Sequence, residues 1–197
     1  LSAAPQLALC HHPQPRQGAH VKSGGEHQPG GVSRIKPLGS RRSTFVSVLD
    51  VGPSGAGKTT LLRSLIGEIP NDMVIGTVES DFELNVLRMG RHRFVVALQE
   101  RLPTSVDGHG ISPAAMMRPM MRTRAHWVIV GEVRGGEGAA LLRGMQTGQG
   151  SMATVHGGSA QEGLELLTDL VVDETGRNRR DVRTAVYRST DLVVHLT

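Results

Sequence analysis

Apolar and polar residues alternate with two different periods along the chain from residue 44 onward. Short runs rich in β-branched and other apolar residues predict strands, and stretches with apolar residues three and four positions apart predict helices. The predicted strands are 44–51, 73–79, 93–98, 126–131, 151–156 and 191–196. The predicted helices are 58–68, 112–123, 136–147, 159–173 and 179–188; Ser112-Pro113 and Ser159 mark helix starts, and Gly148 and Gly176 mark helix ends.

Strands that alternate with helices are typical of a mostly parallel sheet flanked by helices. We therefore predict an α/β fold. In such sheets ligands bind beyond the carboxyl ends of the strands, so the residues that follow each predicted strand are the first candidates for chemistry.

Residues 1–43 have a different pattern, with five prolines, two Gly-Gly pairs and almost no apolar periodicity. A segment of this composition does not bury enough apolar surface to offset the conformational entropy lost on ordering. We therefore expect a disordered or atypical N-terminal arm at 1–43 and a single domain at 44–197.

The composition, with 38% apolar and 20% charged residues in 197, is typical of a soluble globular domain. No apolar run approaches the roughly 20 residues that span a bilayer, and the N-terminus lacks a secretory signal pattern, so a cytoplasmic protein is expected. The net charge of +4 comes mostly from scattered arginines, and aromatic residues make up only 3%. This pattern does not favour a nucleic-acid-binding surface, and we expect no direct binding of nucleic acid.

A complete phosphate-binding pattern, G-x-x-x-x-G-K-[ST], lies between the first predicted strand and the first predicted helix. Its glycines allow a tight backbone path that points amide groups at phosphate oxygens, and the following helix adds its positive N-terminal dipole. Lys58 supplies a point charge for the β and γ phosphates, and Thr59 offers a hydroxyl to Mg²⁺. The predicted nucleotide-binding residues are Gly52, Pro53, Ser54, Gly55, Ala56, Gly57, Lys58, Thr59 and Thr60.

Acidic residues follow two other predicted strands. A buried-strand run ends at Gly131-Glu132, where a P-loop enzyme needs a carboxylate to orient Mg²⁺ through its water shell or to polarise the attacking water. A second cluster, which contains Glu79, Asp81 and Glu83, follows the strand predicted at 73–79. One carboxylate after a strand is often structural, but two in a chain with a full phosphate loop favour an enzymatic site.

His156 and two arginines complete the candidate set. His156 ends the strand predicted at 151–156, where a neutral imidazole can hydrogen-bond a γ-phosphate or a neighbouring acid, although a histidine there is also commonly structural. Arg101 and Arg134 are close in sequence to the acidic residues. They could neutralise charge on a transferred phosphoryl group, in their own subunit or across an interface.

These motifs occur in a fixed order along residues 45–197. They are Gly52 to Thr60 with Leu61-Leu62; Thr77 to Leu84; Arg122 to Arg124; Val130 to Glu137; Thr147-Gly148 and Thr154 to His156; and Asp191 to Leu196. In this order they resemble the P-loop, Asp box, Walker B region and His box of the secretion ATPase superfamily, which comprises the type II and type IV secretion and pilus motor ATPases. The resemblance is nearest to the CpaF/TadA branch of tight-adherence pili.

The resemblance implies a RecA-like P-loop domain that binds ATP and Mg²⁺ through Lys58 and Thr59 and hydrolyses ATP. It further implies that Glu83 activates or orients the attacking water, that Glu132 supports the metal, partly through water, and that His156 senses the γ-phosphate. Arg101 would contribute an arginine to the nucleotide site. The implied assembly is a homo-hexamer that works with inner-membrane secretion or pilus platform proteins at the inner face of the membrane.

The sequence departs from the family pattern at several positions. Pro53 stands where the family commonly has glycine, Ser80 replaces an aspartate of the Asp box, and 1–43 contains no recognisable N-terminal domain of the family. These departures keep a truncated or impaired motor among the alternatives. The others are an ABC-type or kinase-like P-loop enzyme, whose signature sequences are not found, and a non-catalytic nucleotide-binding ring subunit.

Overall fold

A computed structural model describes residues 32–34, 45–103 and 108–197. Within them a seven-stranded sheet has the order β1-β7-β2-β6-β5-β3-β4. β1 pairs with β7 in antiparallel orientation, and all the other neighbouring strands are parallel. The strands are β1 Val32–Arg34, β2 Ser47–Val51, β3 Val74–Glu79, β4 Phe94–Gln99, β5 Trp127–Val130, β6 Gly150–Val155 and β7 Leu192–His195. The helices are α1 Lys58–Gly67, α2 Val86–Met89, α3 Pro113–Arg122, α4 Glu137–Gln146, α5 Ala160–Thr175 and α6 Arg179–Ser189.

The central strands β2, β5 and β6 are buried on both faces, as is typical of parallel strands that have helices on both sides. Alternate residues of β2 and β5 point to opposite faces. Leu49 and Val130 belong to the core beneath α3, α4, α5 and α6, whereas Val48 and Ile129 belong to the core beneath α1 and α2. Two hydrophobic layers therefore hold the sheet in position between the helices.

The structure confirms every predicted strand and helix from residue 44 onward to within three residues at each end. Ser112 and Ser159 cap α3 and α5 by accepting hydrogen bonds from the amides of Ala115 and Glu162, and Gly176 ends α5 in the left-handed conformation. Two short elements, β1 and α2, were not predicted. β1 lies inside the arm expected at 1–43, and the other residues of that arm lie outside the described ranges.

The topology brings the loops that follow β2, β3, β5 and β6 to one edge of the sheet, because these four strands are parallel. The phosphate-binding pattern follows β2, and the two acidic groups and His156 follow the other three strands. Within the described ranges, no helix has the length and apolar character needed to cross a membrane.

Candidate active site

The phosphate-binding loop adopts a backbone path that only glycine accommodates easily at two points. Gly55 and Gly57 have φ values of 81° and 90°, in the left-handed region where a Cβ atom is strained. Gly52 is restricted for a different reason, because a Cβ there would lie 2.6 Å from the carbonyl oxygen of Leu196. Gly55 and Gly57 therefore allow the tight backbone path of the loop, and Gly52 allows the start of the loop to pack closely against the residue that follows β7.

Lys58, the first residue of α1, is held inside the loop. Its ammonium group donates hydrogen bonds to the carbonyl oxygens of Gly52 at 2.9 Å and Pro53 at 2.8 Å, and the residue is buried. An ammonium has three N–H donors, so these two bonds leave one donor for a ligand. Pro53, the unusual residue of this loop, thus accepts a bond with its carbonyl oxygen, which proline retains.

Thr59 and Glu83 meet across the cavity. The Thr59 hydroxyl donates to Glu83 Oε2 at 3.2 Å, which connects the start of α1 with the loop after β3. Glu79, at the end of β3, is buried and accepts a hydrogen bond from the amide of Leu84 at 2.8 Å. Burial raises the pKa of Glu79, and the Leu84 amide partly opposes that rise.

Glu132 lies between two cationic or ionisable partners after β5. Its carboxylate pairs with the guanidinium of Arg134, and its Oε1 lies 2.5 Å from His156 Nε2 at the end of β6. The hydrogen bond and the charge of Glu132 raise the pKa of the Arg134 guanidinium. The structure therefore brings both Arg134 and His156 into direct contact with Glu132.

All of these groups surround a cavity of about 410 Å³ at the carboxyl edge of the sheet. Its residues come from the phosphate-binding loop and α1 and from the ends of β3, β5 and β6; they are Ser54, Gly55, Gly57, Lys58, Thr59, Thr60, Glu79, Ser80, Asp81, Glu83, Leu84, Gly131, Glu132, Arg134, Thr154 and His156. A volume of this size is within the usual range of small-molecule sites.

Arg101 is the one predicted site residue outside the loop that does not line this cavity. It follows β4, the strand at the outer edge of the sheet, and its backbone pairs with Ile111 in an isolated antiparallel bridge. Arg101 is exposed there. In the sheet, β3 lies between β4 and β5, the strand before Glu132, and both β3 and β5 lie between β4 and β6, the strand before His156.

Two buried acids were not recognised from the sequence. Glu137, the first residue of α4, accepts hydrogen bonds from the amides of Arg134 and Gly135. Asp50, in β2 just before the phosphate-binding loop, is fully buried and has no hydrogen-bond partner for either carboxylate oxygen among the described residues. Burial raises the pKa of Asp50 to about 7. The sequence did contain a signal for Asp50, because an acidic residue within a mostly apolar strand is unusual.

The residues of the cavity fit a magnesium nucleotide. The loop of strained glycines, the held ammonium of Lys58 and the start of α1 form a cradle for phosphate groups. The hydroxyl oxygen of Thr59 and the carboxylate of Glu132, which both line the cavity, are hard ligands of the kind that Mg²⁺ prefers.

Comparison with known proteins places these motifs in a family. The family described as "Type II/IV secretion system protein" matches residues 40–196. A type IV secretion system protein VirB11 of Bartonella henselae is 30% identical over 155 residues, which cover 75% of this chain and 41% of that protein. A putative conjugal transfer protein of Mycobacterium tuberculosis is 34% identical over 146 residues, or 73% of this chain and 39% of that protein.

A solved structure agrees with these relatives. The VirB11 ATPase of the Brucella suis type IV secretion system, in complex with sulphate, superimposes with a TM-score of 0.66 at 28% identity, covering 76% of this chain and 44% of that one. The fold is therefore the RecA-like P-loop fold, and the relatives agree with the secretion-motor interpretation rather than with an ABC-type or kinase-like enzyme. The chain spans about 40% of the length of the two relatives that it matches in sequence. It belongs to the type II/IV secretion system protein family.

Proposed function

We propose that this chain is the nucleotide-binding motor domain of a secretion or pilus-assembly ATPase, and that it hydrolyses ATP. The observation that carries the proposal is the meeting of Lys58, Thr59, Glu83, Glu132 and His156 around one cavity. These residues come from four strand ends and supply the groups that phosphoryl transfer to water needs.

The loop residues Gly52 to Thr60 would bind the phosphates of ATP through backbone amides, and Lys58 would direct its remaining N–H donor at the β and γ phosphates. Thr59 would hold Mg²⁺ directly, and Glu132 would hold it through water. When bound, Mg²⁺ supplies positive charge against the phosphate oxygens. The Thr59–Glu83 contact keeps the carboxylate of Glu83 next to the metal-binding hydroxyl.

Catalysis would then rest on the carboxylates and on His156. Glu83 orients or deprotonates the attacking water, since a carboxylate in this position accepts its proton. His156 donates a hydrogen bond to the γ-phosphate, and Arg134 offsets negative charge that develops on the transferred group. Both of these side chains contact Glu132, so movement of one changes the position of the others.

We further propose a homo-hexameric ring at the cytoplasmic face of the inner membrane, in contact with platform proteins of a secretion or pilus system, nearest the CpaF/TadA branch. Arg101 does not line the cavity of its own subunit; it is exposed and follows the edge strand β4. A ring would allow Arg101 to act on the nucleotide of a neighbouring subunit. Such a role would be consistent with a position outside the cavity of its own subunit.

The proposal is tested by measuring phosphate release from ATP as a function of protein concentration, with molecular mass measured in parallel. We expect the rate per subunit to rise as the mass rises from that of one chain to that of a ring, because neighbouring subunits complete each site. ATP binding without phosphate release above that of Glu132→Gln would instead indicate a non-catalytic ring subunit. A rate per subunit that does not depend on concentration would contradict the shared site, and no ATP binding would contradict the whole proposal.

A further inference from the structure

The loop Gly131–Gly136 connects β5 to α4 and contains Glu132 and Arg134. Hydrogen bonds hold both halves of this loop in place. The Thr154 hydroxyl donates to the carbonyl oxygen of Gly131 at 2.7 Å, and the amide of Val133 donates to the carbonyl oxygen of Thr154 at 2.9 Å. These two bonds fix the first half of the loop to β6. They do not reach the backbone of Arg134.

Glu137 holds the second half of the loop, which contains Arg134 and Gly135, through hydrogen bonds. Oε1 of this side chain accepts hydrogen bonds from the amide of Arg134 at 2.6 Å and from the amide of Gly135 at 2.8 Å. Glu137 is only 4% exposed, so the contact is shielded from water. Hydrogen bonds from amides to a shielded carboxylate are among the stronger ones in proteins.

We infer that Glu137 is a positioning residue for ATP hydrolysis, which holds the backbone of Arg134 and Gly135 so that the Glu132–Arg134 pair keeps its position in the lining of the cavity. The inference rests on the proposed hydrolysis of ATP. Glu137 does not line the cavity, so it acts only through the loop. A displacement of the order of 1 Å in a catalytic group can lower a rate by about a hundredfold. The loss of the two hydrogen bonds to Glu137 is therefore expected to have a measurable effect on the rate.

A simpler role is also open to Glu137, because an acid in the first turn stabilises a helix through its dipole. Three substitutions separate the two roles. Glu137→Asp keeps the charge at the start of α4, but its side chain is one methylene shorter and does not reach both amides. Glu137→Gln loses the charge but keeps a carbonyl oxygen that can accept both bonds. Glu137→Ala removes both.

Asn178→Ala is the matched control for loss of a helix cap. The Asn178 side chain caps α6 by accepting a hydrogen bond from the amide of Arg180 at 2.9 Å, and it does not line the cavity. Its loss is expected to lower the midpoint of thermal unfolding by roughly 2–4 °C, typical of a lost cap in a chain of this size. kcat per folded chain should not change.

We expect Glu137→Asp and Glu137→Ala to lower kcat by about tenfold to a hundredfold, with KM for ATP within about threefold of wild type, because the phosphate-binding loop is not altered. Glu137→Gln should retain at least about a third of the wild-type kcat, since it can still accept both bonds. A Glu137→Asp variant with wild-type kcat would overturn the inference. So would a Glu137→Gln variant as slow as Glu137→Ala, because charge rather than amide contact would then be decisive.

A second measurement separates this inference from the proposed function. If the wild-type chain released no phosphate, the proposed hydrolysis would fail, and the inference would be decided by affinity for ADP with aluminium fluoride relative to ADP alone. We expect Glu137→Asp to reduce that ratio at least tenfold and to speed hydrogen exchange at the Gly135 amide. An unchanged ratio, or unchanged exchange, would overturn it.

Discussion

The burial of the Asp50 carboxyl group predicts an unusual dependence of the free energy of unfolding on pH. Its carboxyl group is fully buried without a hydrogen-bond partner among the described residues, and burial raises its pKa from 3.8 to about 7. Between these two values the folded chain keeps a proton that the unfolded chain releases. The contribution of Asp50 to the free energy of unfolding is therefore fully present below about pH 4 and is lost as the pH rises to 7.

The size of this effect follows from the change in pKa. Raising a carboxyl pKa from 3.8 to about 7 corresponds to about 4 kcal/mol between the two protonation states. Domains of ordinary stability unfold with about 5–15 kcal/mol, so an ionised Asp50 removes a large share of that margin. Between pH 7 and pH 4, the cost of ionising Asp50 in the folded chain decreases by about 1.4 kcal/mol for each pH unit.

Urea unfolding of wild type, Asp50→Asn and Asp50→Val from pH 5 to pH 8.5 measures the effect, with the fluorescence of Trp127, the single tryptophan, as the signal. In both variants the side chain at position 50 is uncharged at every pH. We expect the stability of Asp50→Asn relative to wild type to grow by about 2–3 kcal/mol between pH 5 and pH 8. Asp50→Val should be the most stable at pH 8, because it also removes an unpartnered polar group. Parallel pH profiles for wild type and Asp50→Asn would refute the reasoning.

Three further substitutions test other parts of the structure. His156→Ala should lower kcat by a factor on the order of 100 while ATP binding stays within about threefold, measured by phosphate release and equilibrium binding; an unchanged kcat would remove His156 from the site. Gly57→Ala should lower the free energy of unfolding by about 1–2 kcal/mol, because φ is 90° there, and a wild-type urea midpoint would speak against that strain. Glu165→Ala should cost about 1 kcal/mol at pH 7, less at high salt, since Glu165 accepts hydrogen bonds from Arg183 and Tyr187. The Arg183 hydrogen bond lowers the pKa of Glu165, so this cost should shrink as the pH falls below about 4, and a pH-independent cost would contradict the pairing.

The positions of the site residues that follow from local sequence could be anticipated. The phosphate-binding loop is a contiguous motif between a strand and a helix, and its glycines have the positive φ values that the motif requires. Glu132 and His156 lie at the ends of two parallel strands, and parallel strands place their carboxyl ends at one edge. Their presence at the same edge could therefore be anticipated, whereas their direct contact depends on β5 and β6 being neighbours in the sheet.

The parts that depend on strand order and on packing could not be predicted. The position of Arg101 is set by β4, which lies at the outer edge of the sheet, and sequence spacing does not reveal that placement. The burial of Asp50 depends on which face of β2 it occupies and on what covers that face. β1 has only three residues, which is too short for a periodic pattern in the sequence to predict a strand.

The central claim is that the residues around the cavity act on one bound ATP, with binding and hydrolysis carried by different groups. The most direct test measures ATP affinity and phosphate release together for Lys58→Ala and Glu132→Gln. Lys58→Ala should weaken ATP binding at least tenfold, because the phosphates lose their ammonium partner. Glu132→Gln should bind ATP within about threefold of wild type and release phosphate about a hundredfold more slowly. Wild-type phosphate release by Glu132→Gln, or wild-type ATP affinity in Lys58→Ala, would contradict the account.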